Sequence, residues 1–433
     1  MTEGARSMSK KNQTDDTQRV VVTGIGMITP LGIGKEEFGR RLFCGETAIA
    51  EIKSFDTSSF PSHLGAEVTN FNPRDFISVK NIRRMDKTSL MTAASSRLAL
   101  EDAGVQITQE NRDRIGIIMG TAFGATDVTA QFAGTLLKEG PASVNPILVP
   151  NIVMNAPAGH TSIELGFRGV NTTVTHFAVS AETAIAYAIS EIRRGTADFI
   201  LAGGVDILSK FYYESLIKFH TISPQNGGKE ACRPFDKNRN GTIAGEGCGI
   251  ICLESWESAM ARGRQPYCEI KGVGMGSSPT TPTGWPQNSD GIKRTFSRAI
   301  KNAGSTITDI QAVFAAANGD KILDAVEAEA YAEIFDVSEK KPLITALKGA
   351  TGESFSGGGI RACALSVSME KNILPPVVGL ANPLRPLAFV AGEKKEIEIN
   401  NAALAGISFG GTYVYLIFGN EYLSAPFPFV IPA

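Results

Sequence analysis

Residues 174–206 read VTHFAVSAETAIAYAISEIRRGTADFILAGGVD. A strand end at Val174 and a short turn lead into an Ala-rich helix, and after Gly195 an apolar run from Phe199 closes on Gly203-Gly204. That run shows no alternation of polar and apolar residues, as expected of a strand covered on both faces by helices. Upstream, Arg114-IGIIMGTAFG and Arg19-VVVTGIGMITPLG have the same character, and Ile82–Gly104 reads as a long helix with a glycine stop. Alternation resumes downstream. Cys268-EIKGVGMGSS and Ile310-QAVFAAANGD read as strands, Gly291-IKRTFSRAIKNAG and Ile360-RACALSVSMEKN as helices, and Glu396-IEINNAALAGISFGGTYVYLIFGN as two strands around a glycine loop. The pattern predicts a layered α/β fold in two halves of similar order, dividing near residue 266. The expected organisation is a disordered tail over 1–18, halves over 19–266 and 267–420, and a C-terminal tail over 421–433.

At about 150 residues per domain, 433 residues predict two to three domains, with a core that needs no disulfide or metal staple. Lysines and arginines (42) nearly balance acids (44), which argues against a globally basic nucleic-acid binder. The first seventeen residues lack the apolar core of a secretory signal, so a cytoplasmic protein is expected. Gly140 to Ile163 is uncharged, yet four prolines and three asparagines within it argue against a membrane span. The six cysteines form no CxxC pair and the four histidines are scattered, so no metal or cofactor is expected. Alternation places Cys248 and Cys252 on one face of a strand. P-loop and HExxH motifs are absent, and Gly24-Ile25-Gly26 is a weak dinucleotide signal.

Longer blocks say more. VVVTGIGMITPLG (20–32), NPILVPNIVMNAPAG (145–159), LAGGVD (201–206), CRPFDKNRNGTIAGEGCGIICLE (232–254), KGATGE (348–353) and ISFGGT (407–412) resemble, in family order, the β-ketoacyl-acyl carrier protein synthases of the thiolase-like fold. The resemblance implies two pseudo-duplicated α/β halves in a layered sandwich and a dimer formed through strands near 171–178. It also implies acyl-thioester condensation by a cysteine at a helix N-terminus, where dipole and amides stabilise thiolate and oxyanion. Two histidines then stabilise the enolate formed on decarboxylation.

Position by position, those groups are replaced. The family's cysteine falls on Ala178, its first histidine on Asn318 and its second on Glu353, while the lysine is kept as Lys348. Asp324 and Glu327 align with the family's acidic pair. In the gating loop Phe409 is kept, but a phenylalanine becomes Ile407 and the intervening glycine Ser408. An alanine methyl cannot attack a thioester, and losing all members of a cooperating set leaves no condensation. Ser180 and His176 lie near the former nucleophile and are expected to point elsewhere.

Three readings follow. The first is a non-catalytic subunit resembling a chain length factor, paired with an active ketosynthase and shaping the acyl tunnel, with transient acyl carrier protein contact. It departs from those factors, which commonly carry glutamine at Ala178. The second is an enzyme of altered acyl-thioester chemistry using Glu353, Lys348 and Asn318, against which stands a salt bridge plugging the pocket. The third is an acyl-binding homodimer without turnover. The resemblance implies that the run 145–157 lines the dimer and acyl tunnel, while by itself it reads as a buried irregular segment; Arg83 and Arg84 read as a solvated helix start that could meet an acidic carrier protein, and Trp285, in a loop that corresponds to the family's variable loop near the pocket, carries no role.

Overall fold

The computed structural model describes residues 18–420; the two tails expected at the chain's ends fall, but for Gln18, outside them. The first half contains β1 (Val20–Thr29), β2 (Ile115–Gly120), β3 (Asn171–Val174), β4 (Phe199–Asp206) and β5 (Gly247–Ser255). The second contains β6 (Cys268–Ser277), β7 (Ala312–Phe314), β8 (Leu343–Thr345), β9 (Asn401–Ser408) and β10 (Thr412–Gly419). Strand order is β3-β2-β4-β5-β1 in the first sheet and β8-β7-β9-β10-β6 in the second. The pairings repeat as well. β2 runs parallel to β3 and β4, and β5 antiparallel to β4 and β1. Likewise β7 is parallel to β8 and β9, and β10 antiparallel to β9 and β6. The sheets meet where Val21 and Val22 pair with Glu269 and Cys268.

The helices used below are α1 (Lys87–Ala103), α2 (Ser180–Arg193), α3 (Lys210–Lys218), α4 (Asp290–Asn302), α5 (Lys321–Ile334) and α6 (Gly358–Lys371). Between the two sheets lie α2 and α6; α6, buried from Gly358 to Met369, packs on β4 and β5 and on β9. Outside, α1 covers β1 and α4 covers β6. The glycines of the first strand belong to that outer packing. A Cβ on Gly26 would lie 1.9 Å from Ser95 O of α1, and one on Gly274 of β6 2.2 Å from Thr295 O of α4. The G-x-G pair therefore admits a helix against a strand in both halves and cradles no phosphate. Its repetition in TGIGM and KGVGM is a residue-level trace of the duplication.

Two expectations are corrected. The helix expected from Ile82 begins at Lys87, because Asp86 accepts from the Thr88 and Ser89 amides at 2.9 and 3.3 Å and caps it. Arg83 and Arg84 lie exposed ahead of that cap. The run 145–157 is irregular, with a 3₁₀ stretch at Pro146–Asn151, but mostly exposed: Ile147, Val149, Val153 and Met154 all reach solvent. Cys248 and Cys252 do share one buried face of β5, in the same apolar cluster.

Candidate functional site

The turn between β3 and α2 carries Ala178. Phe177 has φ +47°, a conformation that costs a non-glycine residue about 1–3 kcal/mol and needs tight surroundings to persist. Ser180 supplies part of them: its hydroxyl accepts from the His176 amide at 2.8 Å and lies 2.7 Å from Phe177 O. Its proton is thus directed to backbone, and the His176 ring faces Thr183 at 3.5 Å, so no Ser–His pair forms. Ala178 is buried, and its amide donates to Ser408 Oγ at 3.2 Å. An amide that could have faced an anion is capped by the chain's own hydroxyl.

The second half contributes a buried ion pair. Lys348 Nζ lies 2.6 Å from Glu353 Oε2, and Asn318 Nδ2 donates to the same oxygen at 2.8 Å. All three side chains are buried. The Asn318 amide is fully engaged, since its oxygen accepts from Asp320 N at 2.9 Å. Glu353 is fixed by its backbone too: its amide donates to Ile243 O, and its carbonyl accepts from Gly245 N, both at 2.8 Å. The acidic pair on α5 organises the neighbouring loop. Asp324 accepts from the amides of Asn318 (3.0 Å) and Phe235 (2.8 Å), and Glu327 from Ala316 N (2.8 Å) and Tyr331 OH (2.7 Å). Burial pushes Asp324 up to about 7 against the pull of those amides. Cys232 donates to Asn318 O at 3.2 Å, but burial pushes this thiol up to about 12, so it stays protonated and inert.

Two features escaped sequence reasoning. A second buried pair, Glu182 with Arg361, ties α2 to α6 one helical turn beyond Ala178. Trp285 stacks on Phe409 with ring centroids 3.9 Å apart, and Phe409 on Phe355 at 5.8 Å. No local signal pairs a tryptophan with a phenylalanine 124 positions away; only a repeated Pro-Thr loop marked the spot. Phe409 lies half-buried, Ile407 and Ser408 buried, and Ala178 joins Phe355 and Tyr212 in one apolar cluster. The structure thus brings Asn318, Lys348 and Glu353 together, and sets Ser408 and Phe409 around Ala178 at the start of α2.

A doubled five-stranded sandwich with a helix start between its halves defines a thiolase-like protein. The chain matches the β-ketoacyl synthase N-terminal domain over residues 17–259 and the corresponding C-terminal domain over 267–381, and it belongs to the β-ketoacyl synthase family. It is 31% identical over 412 residues to the 3-oxoacyl-[acyl-carrier-protein] synthase 2 of Vibrio cholerae, covering 93% of this chain and 99% of the relative. With the synthase of that name from Coxiella burnetii it shares 28% identity, covering 94% and 100%. A solved structure described as the ishigamide ketosynthase/chain length factor superposes with a TM-score of 0.87 at 29% identity, covering 93% and 99%. Among the described residues no helix is long and apolar enough to cross a membrane.

Proposed function

We propose that the chain is a non-catalytic ketosynthase-like subunit of a fatty acid or type II polyketide synthase in the cytoplasm. It pairs with an active ketosynthase and shapes the tunnel that holds the acyl chain. The observation that carries this reading is the helix start at Ala178, which has no nucleophile and whose amide is occupied by Ser408. The Lys348–Glu353–Asn318 cluster supports it, because both donors converge on one carboxylate oxygen where the family's histidine would stand. The scaffold, by contrast, is intact, and one structural neighbour is described as a ketosynthase/chain length factor.

An intact scaffold with an emptied site needs a use, and the open edge of β3 offers one. Val170 and Val174 give their carbonyls to the Ile117 and Thr121 amides, at 2.7 and 3.1 Å, so the backbone groups of residues 171 and 173 face outward. The first half also exposes the apolar side chains of Leu137, Ile147, Val149, Val153 and, just after β3, Phe177. An apolar face around an unpaired strand suits a partner of the same fold, whose equivalent strand continues the sheet. A near-symmetric pair would also admit an acyl carrier protein to the active subunit. Native mass spectrometry after co-expression with a ketosynthase of the same synthase is expected to show a one-to-one mixed dimer, without malonyl-dependent condensation by this chain alone. Exclusive homodimers, or condensation by the isolated chain, would overturn the reading.

A further inference from the structure

β6 meets β1 only at Cys268 and Glu269, and beyond them that edge of β6 carries no strand. Ser278 turns its amide the other way, to Gly411 O at 2.8 Å. By the alternation of an antiparallel pair, Val273, Met275 and Ser277 therefore turn both amide and carbonyl outward. Three side chains of α4, one turn apart, take the carbonyls. Arg294 lies 3.5 Å from Ser277 O, Arg298 2.6 Å from Met275 O and Asn302 2.8 Å from Val273 O. The amides are left over: among the described residues nothing accepts from those of Met275 and Ser277.

The two arginines, both exposed, have no acid partner among the described residues. Asp290 and Glu333, the acids of this neighbourhood, are held by Lys293 at 3.1 and 2.5 Å. Arg294 and Arg298 line a cavity of about 270 Å³ with Gly276, Ser277 and Thr295. The Thr295 hydroxyl is spent on Gly291 O at 2.7 Å, and no carboxylate lines the space. What faces it is a set of donors.

The duplication shows how the other half meets the same need. TGIGM of β1 corresponds to KGVGM of β6, and EDAG at the end of α1 to KNAG at the end of α4, so Asp102 corresponds to Asn302. In the first half the outward amide of Ile25 donates to Asp102 Oδ2 at 2.8 Å, and Lys35 pairs with that carboxylate at 2.6 Å. In the second half the corresponding side chain is an amide and donates to a carbonyl instead. There the chain supplies donors and cations but no carboxylate.

We propose that this edge binds a phosphate group, carried by a free phosphate ion or by a phosphate monoester. Two guanidiniums match the charge of a phosphate dianion and can each donate in pairs to its oxygens. The outward strand amides add the fixed donors that sheet edges offer to anions. A simple carboxylate, with one charge and two oxygens, would use only part of this set. Neither Ala178 nor any member of the Lys348–Glu353–Asn318 cluster lines the cavity, so the site stands apart from the proposed pairing with a ketosynthase.

The probes are inorganic phosphate, glycerol 3-phosphate and acetate, titrated calorimetrically into the full chain at pH 8 and low salt. Inorganic phosphate is expected to bind saturably at one site, and acetate at least tenfold more weakly. Glycerol 3-phosphate separates the two sources: at least tenfold tighter binding than phosphate marks a monoester site, and at least tenfold weaker binding a site for the free ion. Arg294→Gln and Arg298→Gln, both at exposed positions, should each weaken phosphate at least tenfold. Ser277→Glu brings a carboxylate from the chain itself, as Asp102 does in the first half, and should abolish binding at unchanged Tm. No saturable binding of either phosphate, or equal binding of acetate, would overturn the proposal on the unaltered chain. Unchanged affinity in a folded variant with both arginines replaced would overturn its location.

Discussion

β3 and β8 are equivalent strands, each at the outer edge of its own sheet, and they end differently. β8 is covered: Ile344 donates to Ala388 O and accepts from Val390 N, both at 2.9 Å, so the segment around Phe389 closes the edge. β3 has no such cover among the described residues, and its flank is apolar and exposed. A free edge is an aggregation hazard that proteins usually blunt with charge, proline or a covering loop. Duplication thus produced two edges of one kind, and only one was sealed. The second half closes its edge with its own chain and holds the buried Lys348–Glu353 pair, while the edge of the first stays uncovered among the described residues.

The largest expected effect comes from breaking the closed side. Lys348→Met leaves the buried Glu353 carboxylate without its cation, a loss of about 3–5 kcal/mol for a buried pair. Denaturant unfolding should show it as a fall in midpoint at unchanged slope. A loss below about 1 kcal/mol would mean that Glu353 is not held as an ion. The open side should respond without any loss of fold. Thr173→Pro removes an outward-facing amide of β3, and pairing with a ketosynthase is expected to weaken at least a hundredfold, about 2.7 kcal/mol. Unchanged pairing would move the interface away from β3.

Each half also holds an aspartate that organises a turn and whose proton burial favours, and the two differ in degree. Burial pushes Asp206 to about 6 and Asp324 to about 7, from a usual carboxylate value of 3.8. A raised acid keeps its proton in the native state at a pH where the unfolded chain has lost it. Its stabilising share is therefore complete below about pH 4 and is lost as pH rises through 6 and 7. Stability should fall between about pH 4 and 7, by at most about 1.4 kcal/mol per pH unit for each group. Asp324→Asn should flatten the upper part of that fall, and a profile that instead rises with pH would show both carboxylates ionised in the fold.

Much of this was legible because it is local. Lys348 and Glu353 are five residues apart in one block, and the strands of both halves read as uniform apolar runs because helices cover both their faces. The start of α1 was misread although its signal was present, since Asp86 followed by Thr88 and Ser89 is an N-cap pattern. Other features had no local signal. Ser408 meets Ala178 across 230 residues, Arg361 meets Glu182 across 179, and both contacts exist because β9 of one half packs on the turn before α2 of the other and α6 packs on α2 itself. The exposure of 145–157 was hidden for another reason: its apolar residues match a buried segment, and exposure shows only once the edge beside it is seen to be open.

The smallest expected effect is none. The site draws its parts from both halves, so restoring one part should not restore chemistry. Ala178→Cys returns a thiol to the start of α2, where helix dipole and amides favour thiolate. The amide of residue 178 would still be bound by Ser408, and the second half would still present Asn318 and Glu353 in place of groups able to stabilise an enolate. Removing members of a cooperating set is strongly non-additive, and the same logic runs in reverse when one is put back. The variant should take up iodoacetamide at position 178 yet leave malonyl-dependent condensation at background. Condensation by Ala178→Cys alone would mean that the Lys348–Glu353–Asn318 cluster does not close the site. The two halves would then differ only in their edges.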